Sequence, residues 1–394
     1  MPAFRFRSIL LACLIISVGQ LSMGLVLPSL PWIAKDFNIS IDDAQLLISV
    51  YLLGFGPSQF LYGPISDSLG RKKVLLFGLL IALLGLLAII FFHQHFYNVV
   101  LGRFLQGLGT GCCAVLARAT IRDRFNGAEL PIAMSYVAMT ASITPMLAPV
   151  IGGFINYHFN WLIIFISLFG YVLMAWLVIA VKFKETVSEK KAIPSAKEIY
   201  IQYRQLLSSR YFISFASIGW LNFSLMITTV SVMPFIMQNQ IGMTSDTYAM
   251  WALIPAIGMF IGTNICNRVR PKIGTKRMLL VTPILHVCAA IWLFFAPVEP
   301  IFMMLGQLLM ILGNGIALPC AQAMVMQPYK TQAGVAAAMS GGGQMIVSSI
   351  VSLILVQLGL NQAWHLSFII VIFAFITLSN ILRGFDPKTV AIEL

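Results

Sequence analysis

Residues 130–181 contain no Asp, Glu, Lys or Arg, and neither do residues 331–382, so the chain carries two uncharged runs of 52 residues each. About 20 apolar residues cross a bilayer as a helix, which makes each run too long for one crossing and right for two. The polar, turn-forming stretches Asn156-Tyr157-His158-Phe159-Asn160 and Gly359-Leu360-Asn361-Gln362 stand where each run must fold back. A further reversal near His93-Gln94-His95 divides 74–121, and the runs 8–34, 44–66, 211–245, 247–267, 278–298 and 300–329 supply one crossing each. The expected fold is therefore an all-α membrane protein with twelve transmembrane helices.

Composition excludes the alternatives. Only 10% of the 394 residues are charged and 59% are hydrophobic, against roughly 25% charged in a soluble globule. A membrane barrel would show strands of about ten residues alternating with period two, and these runs are long and unpatterned. Arg5-Phe6-Arg7 before an apolar run resembles a signal peptide, but no small-residue cleavage site follows, so it reads as a retained first helix.

Lys and Arg outnumber Asp and Glu by 25 to 13. In a soluble protein that excess would point to nucleic acid, whereas here its placement reports topology, and no nucleic-acid partner is expected. Arg5, Arg7, Arg71-Lys72-Lys73, Arg122, Arg124, the seven basic residues from Lys182 to Arg210, the five from Arg268 to Arg277, Lys330, Arg383 and Lys388 fall on one side. Short loops rich in Lys and Arg stay in the cytoplasm, so both termini are expected there. The opposite loops carry Asp36, Asp42, Asp43, Asp246 and Glu299 with Lys35. The six cysteines lack metal-ligand spacing, and no cofactor or metal is expected.

The chain also repeats itself. Leu101-Gly102-Arg103-Phe104-Leu105-Gln106-Gly107-Leu108-Gly109-Thr110-Gly111 returns as Leu305-Gly306-Gln307-Leu308-Leu309-Met310-Ile311-Leu312-Gly313-Asn314-Gly315, 204 residues on. Gly70-Arg71-Lys72-Lys73-Val74-Leu75 returns at the same offset as Gly274-Thr275-Lys276-Arg277-Met278-Leu279. Two agreements at one offset indicate a duplicated six-helix unit, with an N-terminal bundle at 1–181, a cytoplasmic linker at 182–210 and a C-terminal bundle at 211–394. Two such halves in parallel repeat place the expected transport site between them near the bilayer midplane.

Between the second and third crossings stands Gly63-Pro64-Ile65-Ser66-Asp67-Ser68-Leu69-Gly70-Arg71-Lys72-Lys73. This loop resembles the signature of the major facilitator superfamily: Gly, three residues, Asp, two residues, Gly, Arg, Lys. Arg103-Phe104-Leu105-Gln106-Gly107-Leu108-Gly109 is similar to the second signature of its drug:proton antiporters. Ala148-Pro149-Val150-Ile151-Gly152-Gly153 is similar to the third, with Thr144 and Ala148 where Gly is usual. With Val18-Gly19-Gln20 and Leu27-Pro28, the chain most resembles the twelve-span multidrug exporters of the EmrD and bicyclomycin-resistance type. The resemblance implies a major facilitator fold in a bacterial inner membrane, exporting amphipathic small molecules by alternating access against protons, as a monomer. It makes Gly63, Asp67, Gly70, Arg71, Pro149, Gly152 and Gly153 candidates for the conformational switch.

An ionisable residue inside a bilayer is costly, which makes it a functional candidate. Arg103 and Arg118 both fall in the fourth crossing, about 60° apart around the helix, and both can face one cavity. Arg103 has a structural reading as well, a donor to carbonyls of the first crossing. Gln20, Gln106, Asn222 and Gln322 are further polar candidates for the cavity, and Met226 and Trp251 are adaptable apolar ones. All thirteen acidic residues fall in loops or at helix ends. Gly24 stands four residues before Pro28, where bicyclomycin-type exporters have Asp. Asp67, Asp123 and His286 then remain as proton candidates, and an anionic or neutral metabolite or siderophore, carried without protons, stays open as the alternative cargo. No nucleophile, metal cluster or catalytic dyad lies in the spans, so no enzyme is expected.

Overall fold

The uncharged run 130–181 folds as two helices that meet at Phe159-Asn160, and the described part of 331–382 is also helical but for Gln362. The computed structural model describes residues 6–126, 129–187, 196–329, 333–357 and 362–386, and among these there is no strand. Lys190, Lys191, Lys330, Lys388 and the turn at 359–361 lie outside the described residues. Twelve helices are long and apolar enough to cross a membrane. Contacts divide the chain into two compact units, Met1–Ile39 with Leu46–Pro194, and Ser40–Gln45 with Ser195–Leu394.

In the first unit, span 1 is Phe6–Phe37, span 2 Ile41–Leu69, span 3 Arg71–Phe92, span 4 Phe96–Arg124, span 5 Ile132–His158 and span 6 Trp161–Lys182. Span 1 is broken. Its first helix ends at Gly24, a short 3-10 turn runs from Leu27 to Ser29, and a second helix continues from Leu30 to Phe37. Pro28 and Pro31 lack the N–H groups that an unbroken helix would use. Span 5 closes on this break: a Cβ on Gly152 would stand 2.0 Å from the Leu25 carbonyl oxygen, and one on Gly24 would stand 2.6 Å from the Ala148 Cβ.

In the second unit, span 7 is Arg210–Gln240, span 8 Ser245–Ile273, span 9 Thr275–Phe295, span 10 Pro300–Met326, span 11 Val335–Leu355 and span 12 Ala363–Gly384. A helix over Ala196–Ser208 precedes them and belongs to this unit. Leu225, Val232, Met304, Met310, Ile370 and Phe373 anchor its core. Side-chain caps start two spans, because the first N–H groups of a helix lack backbone partners. Asn160 accepts from the Ile163 N–H at 3.0 Å and Ser209 from the Phe212 N–H at 2.9 Å.

Candidate functional site

The signature loop folds into a closed set of charges at one end of the first unit. Gly70 takes φ 100° and ψ 147°, a backbone region essentially restricted to glycine. That turn brings the start of span 3 back over the end of span 2. Arg71 lies at the centre, buried, with its Nη2 2.5 Å from Asp67 Oδ1 and its Nε 3.0 Å from Asp123 Oδ2 at the end of span 4. Its Nη1 donates to Ser66 Oγ at 2.5 Å, and the Thr186 hydroxyl donates to Asp123 Oδ2 at 2.9 Å. The structure thus brings three sequence candidates together, Asp67, Arg71 and Asp123. Gly63, near the Leu69 end of span 2, faces span 4, where its Cβ position is 3.7 Å from Val115.

A fourth charge completes the set, one that sequence reasoning left among the solvated linker residues. Glu185, three residues past span 6, accepts the backbone N–H of Arg71 at 2.9 Å and of Lys72 at 3.2 Å. It caps span 3 across 114 residues of chain, and a carboxylate suits the positive end of a helix. Burial pushes its carboxyl up, but the N–H groups of Val187, Thr186, Arg71 and Lys72 outweigh burial and hold it below its ordinary value. A Cβ on Gly70 would stand 2.5 Å from Glu185 Oε2, so the cap needs glycine there for space as well as conformation. The only sequence signal for this role was that Glu185 is the first of three acids after span 6, in a stretch where seven basic residues predominate.

Deeper in the same unit, Arg103 is fully enclosed. Its Nε donates to the Leu47 carbonyl of span 2 at 3.2 Å, and its Nη1 donates to the Ser22 carbonyl of span 1 at 2.8 Å and to Gln106 Oε1 at 2.7 Å. Its guanidinium lies 4.4 Å from the centre of the Tyr51 ring. Tyr51 in turn donates to the Gly19 carbonyl at 3.0 Å and shares a 2.9 Å hydrogen bond with Thr110. One cation therefore ties spans 1, 2 and 4, by the carbonyl contacts that its structural reading foresaw and by an aromatic face that no sequence pattern indicated. Arg103 Nη2 and Gln106 Nε2 are enclosed donors with no acceptor among the described residues.

The remaining candidates are dispersed. Arg118 has an exposed side chain in span 4, whereas Arg103 is sealed among spans 1, 2 and 4. Gln20 is half-buried, and Pro149 and Gly153 lie in span 5 beside Gly152. In the second unit Asn222 is buried and donates to the Ile218 carbonyl at 2.7 Å and to the Thr377 hydroxyl at 3.3 Å. Met226 and Trp251 pack, half-buried, against the core of that unit. Gln322 is exposed and accepts from Ser340 at 2.9 Å. His286 is enclosed in span 9, with Nε2 3.1 Å from Asn314 Oδ1. Among the described residues no three His, Cys, Asp or Glu side chains converge as a metal site would require.

Among the described residues, twelve apolar helices long enough to cross a membrane, with a charged cluster joining the ends of spans 2, 3 and 4, define a polytopic membrane protein. The family model of the Major Facilitator Superfamily matches residues 12–352, and the chain belongs to that family. Among curated relatives, "Multidrug resistance protein D" of Escherichia coli (strain K12) is 28% identical over 354 residues, covering 87% of each chain. "Multidrug resistance protein MdtL" of Escherichia coli O81 (strain ED1a) is 30% identical over 368 residues, covering 92% of this chain and 90% of that one. A solved bacterial homologue of the human lysosomal transporter Spinster, inward-facing, superposes with TM-score 0.75 at 12% identity over 100% of this chain and 99% of that one. A solved POT family transporter in complex with 5-aminolevulinic acid gives TM-score 0.77 at 15% identity, over 97% of this chain and 96% of that one. These two show the shared fold. The chain is an integral membrane protein that carries small molecules, and it is not an enzyme.

Proposed function

We propose that the protein is a multidrug exporter of a bacterial inner membrane, moving amphipathic small molecules outward by alternating access in exchange for protons. The Asp67-Arg71-Asp123 cluster is the observation that carries this reading, and the names of the curated relatives support it. Two carboxylates share one buried guanidinium, so protonating either would weaken the junction of spans 2, 3 and 4. A proton taken up there would favour one conformation over the other, which is what coupling requires. Gly63, Gly70, Pro149, Gly152 and Gly153 serve the same switch by allowing close packing and a kink at span ends and breaks. The excess of Lys and Arg in the loops on one side supports a cytoplasmic location for this cluster and for both termini in this reading, with the two bundles and their linker acting as one monomeric carrier.

A second reading keeps the carrier and changes the cargo to an anionic or neutral metabolite or siderophore. It is favoured by the donors of Arg103 and Gln106 that lack acceptors, and by the absence of any acid in mid-span. The test is reconstitution in liposomes holding a pH-sensitive dye, with lipophilic cations and organic anions added one at a time. Cation flux with counter-movement of protons, abolished in Asp67→Asn, is the expected result. Anion flux without a proton signal, unchanged in Asp67→Asn, would establish the second reading in its place.

A further inference from the structure

At the end of the first unit opposite Arg71, a cavity of about 570 Å³ opens between the last turn of span 1, the loop after span 3 and the turn joining spans 5 and 6. Small-molecule sites fall at roughly 300–1,000 Å³. Its walls carry two opposite charges on adjacent residues, Lys35 and Asp36, which do not pair with each other. Asp36 is held in place: the buried indole of Trp161 donates to its Oδ2 at 2.8 Å. Trp161 is itself fixed edge-on to His93, with ring centres 6.2 Å apart. The Lys35 ammonium lies 5.7 Å from the centre of the exposed Trp32 ring.

The position of the cavity says where an occupant comes from. Spans 3 and 6 are the most apolar of the twelve, and Phe91 and Phe92 at the end of span 3 are exposed, as is Tyr157 at the end of span 5. Exposed aromatic rings at the ends of apolar spans mark the level of lipid headgroups. We propose that this cavity seats the headgroup of a phospholipid bearing a primary ammonium, with Lys35 on the phosphate and Asp36 on the ammonium. An ammonium with three N–H donors matches a carboxylate already shown to accept hydrogen bonds from inside the cavity, whereas a quaternary ammonium has no N–H to give. An anionic headgroup without an amine would meet Asp36 as a like charge.

Native mass spectrometry of the full-length protein, titrated with phosphatidylethanolamine, phosphatidylcholine and phosphatidylglycerol, tests the assignment. The wild type is expected to bind phosphatidylethanolamine about tenfold more tightly than either other lipid. Asp36→Asn should erase the preference over phosphatidylcholine, and Lys35→Gln, at an exposed position that does not threaten folding, should weaken both lipids together. Equal binding of the three lipids by the wild type, or a preference that survives both substitutions, would overturn the proposal. So would displacement of the lipid by glycerophosphoethanolamine at matched concentration, since that would make the occupant a soluble phosphoamine.

Discussion

Spans 2 to 4 and spans 8 to 10 are the same construction with different contents. A Cβ on Gly54 would stand 2.4 Å from the Phe104 carbonyl oxygen; 204 residues on, one on Gly258 would stand 2.9 Å from that of Leu308. Gly102 meets Ile89 and Gly306 meets Leu293, again at that offset on both sides. The close approaches of backbone to backbone are thus duplicated in space as well as in sequence. Lys72 and Lys73 return as Lys276 and Arg277, but the charges of the ionic cluster and of the enclosed arginine do not return. Arg71 corresponds to Thr275, Asp67 to Pro271, Asp123 to Gln327 and Arg103 to Gln307. Packing and chemistry are separable in this chain: both copies keep the glycines that let helices touch, and one copy holds the ionic cluster and the enclosed arginine.

The sharpest break in that comparison is at Arg103. Arg103→Ala leaves the Ser22 and Leu47 carbonyls without their donor, at about 1–3 kcal/mol for each buried orphan. Gln307→Ala at the corresponding place should cost about 1 kcal/mol. Thermal melting of the two purified variants should show a loss several times larger for the first, and equal losses would mean that the carbonyl ties add nothing.

Next in size are the two glycine turns. Gly70→Ala and Gly274→Ala each force alanine into a region that costs about 1–3 kcal/mol. Gly274 has φ 86° and open space where a Cβ would go, whereas Gly70 adds the collision with Glu185. Both variants should melt lower, with Gly70→Ala the less stable. Identical shifts would show that Glu185 moves aside freely.

The smallest expected effect is at Glu185, and it depends on pH. Its carboxyl is held below the ordinary value in the folded protein, so its contribution is full above the unfolded value of about 4.3 and is lost as pH falls below it. Glu185→Gln should therefore lower the melting temperature modestly at pH 7, with the gap to the wild type closing as pH falls below about 4.3 and through the depressed value of the folded protein. Parallel curves for the two proteins across that range would remove Glu185 from the cap.

The sequence makes the spans legible because a charge in lipid is costly enough to leave long gaps, and 130–181 and 331–382 show them plainly. The contact of Gly152 with the break in span 1 was foreshadowed by glycines beside a proline. Tyr51 and Glu185 were not foreshadowed. Each acts through a partner more than 50 residues away, Arg103 for one and the start of span 3 for the other, and no local pattern records such a pairing. Helical geometry says that Arg103 and Arg118 can face one cavity, but it does not say how enclosed each is: Arg103 is sealed and Arg118 is exposed, because burial depends on which neighbours pack against each face of span 4.

The cap from Glu185 also sets a schedule for biosynthesis. At about 5–20 residues per second, a ribosome that has made Arg71 needs roughly 6–23 s to reach Glu185. Through that interval the loop between spans 2 and 3 has its basic residues and no carboxylate from beyond span 6. Any pull that this loop exerts on the topology during that interval comes from Arg71, Lys72 and Lys73 without help from Glu185, whose later arrival fastens a turn already made.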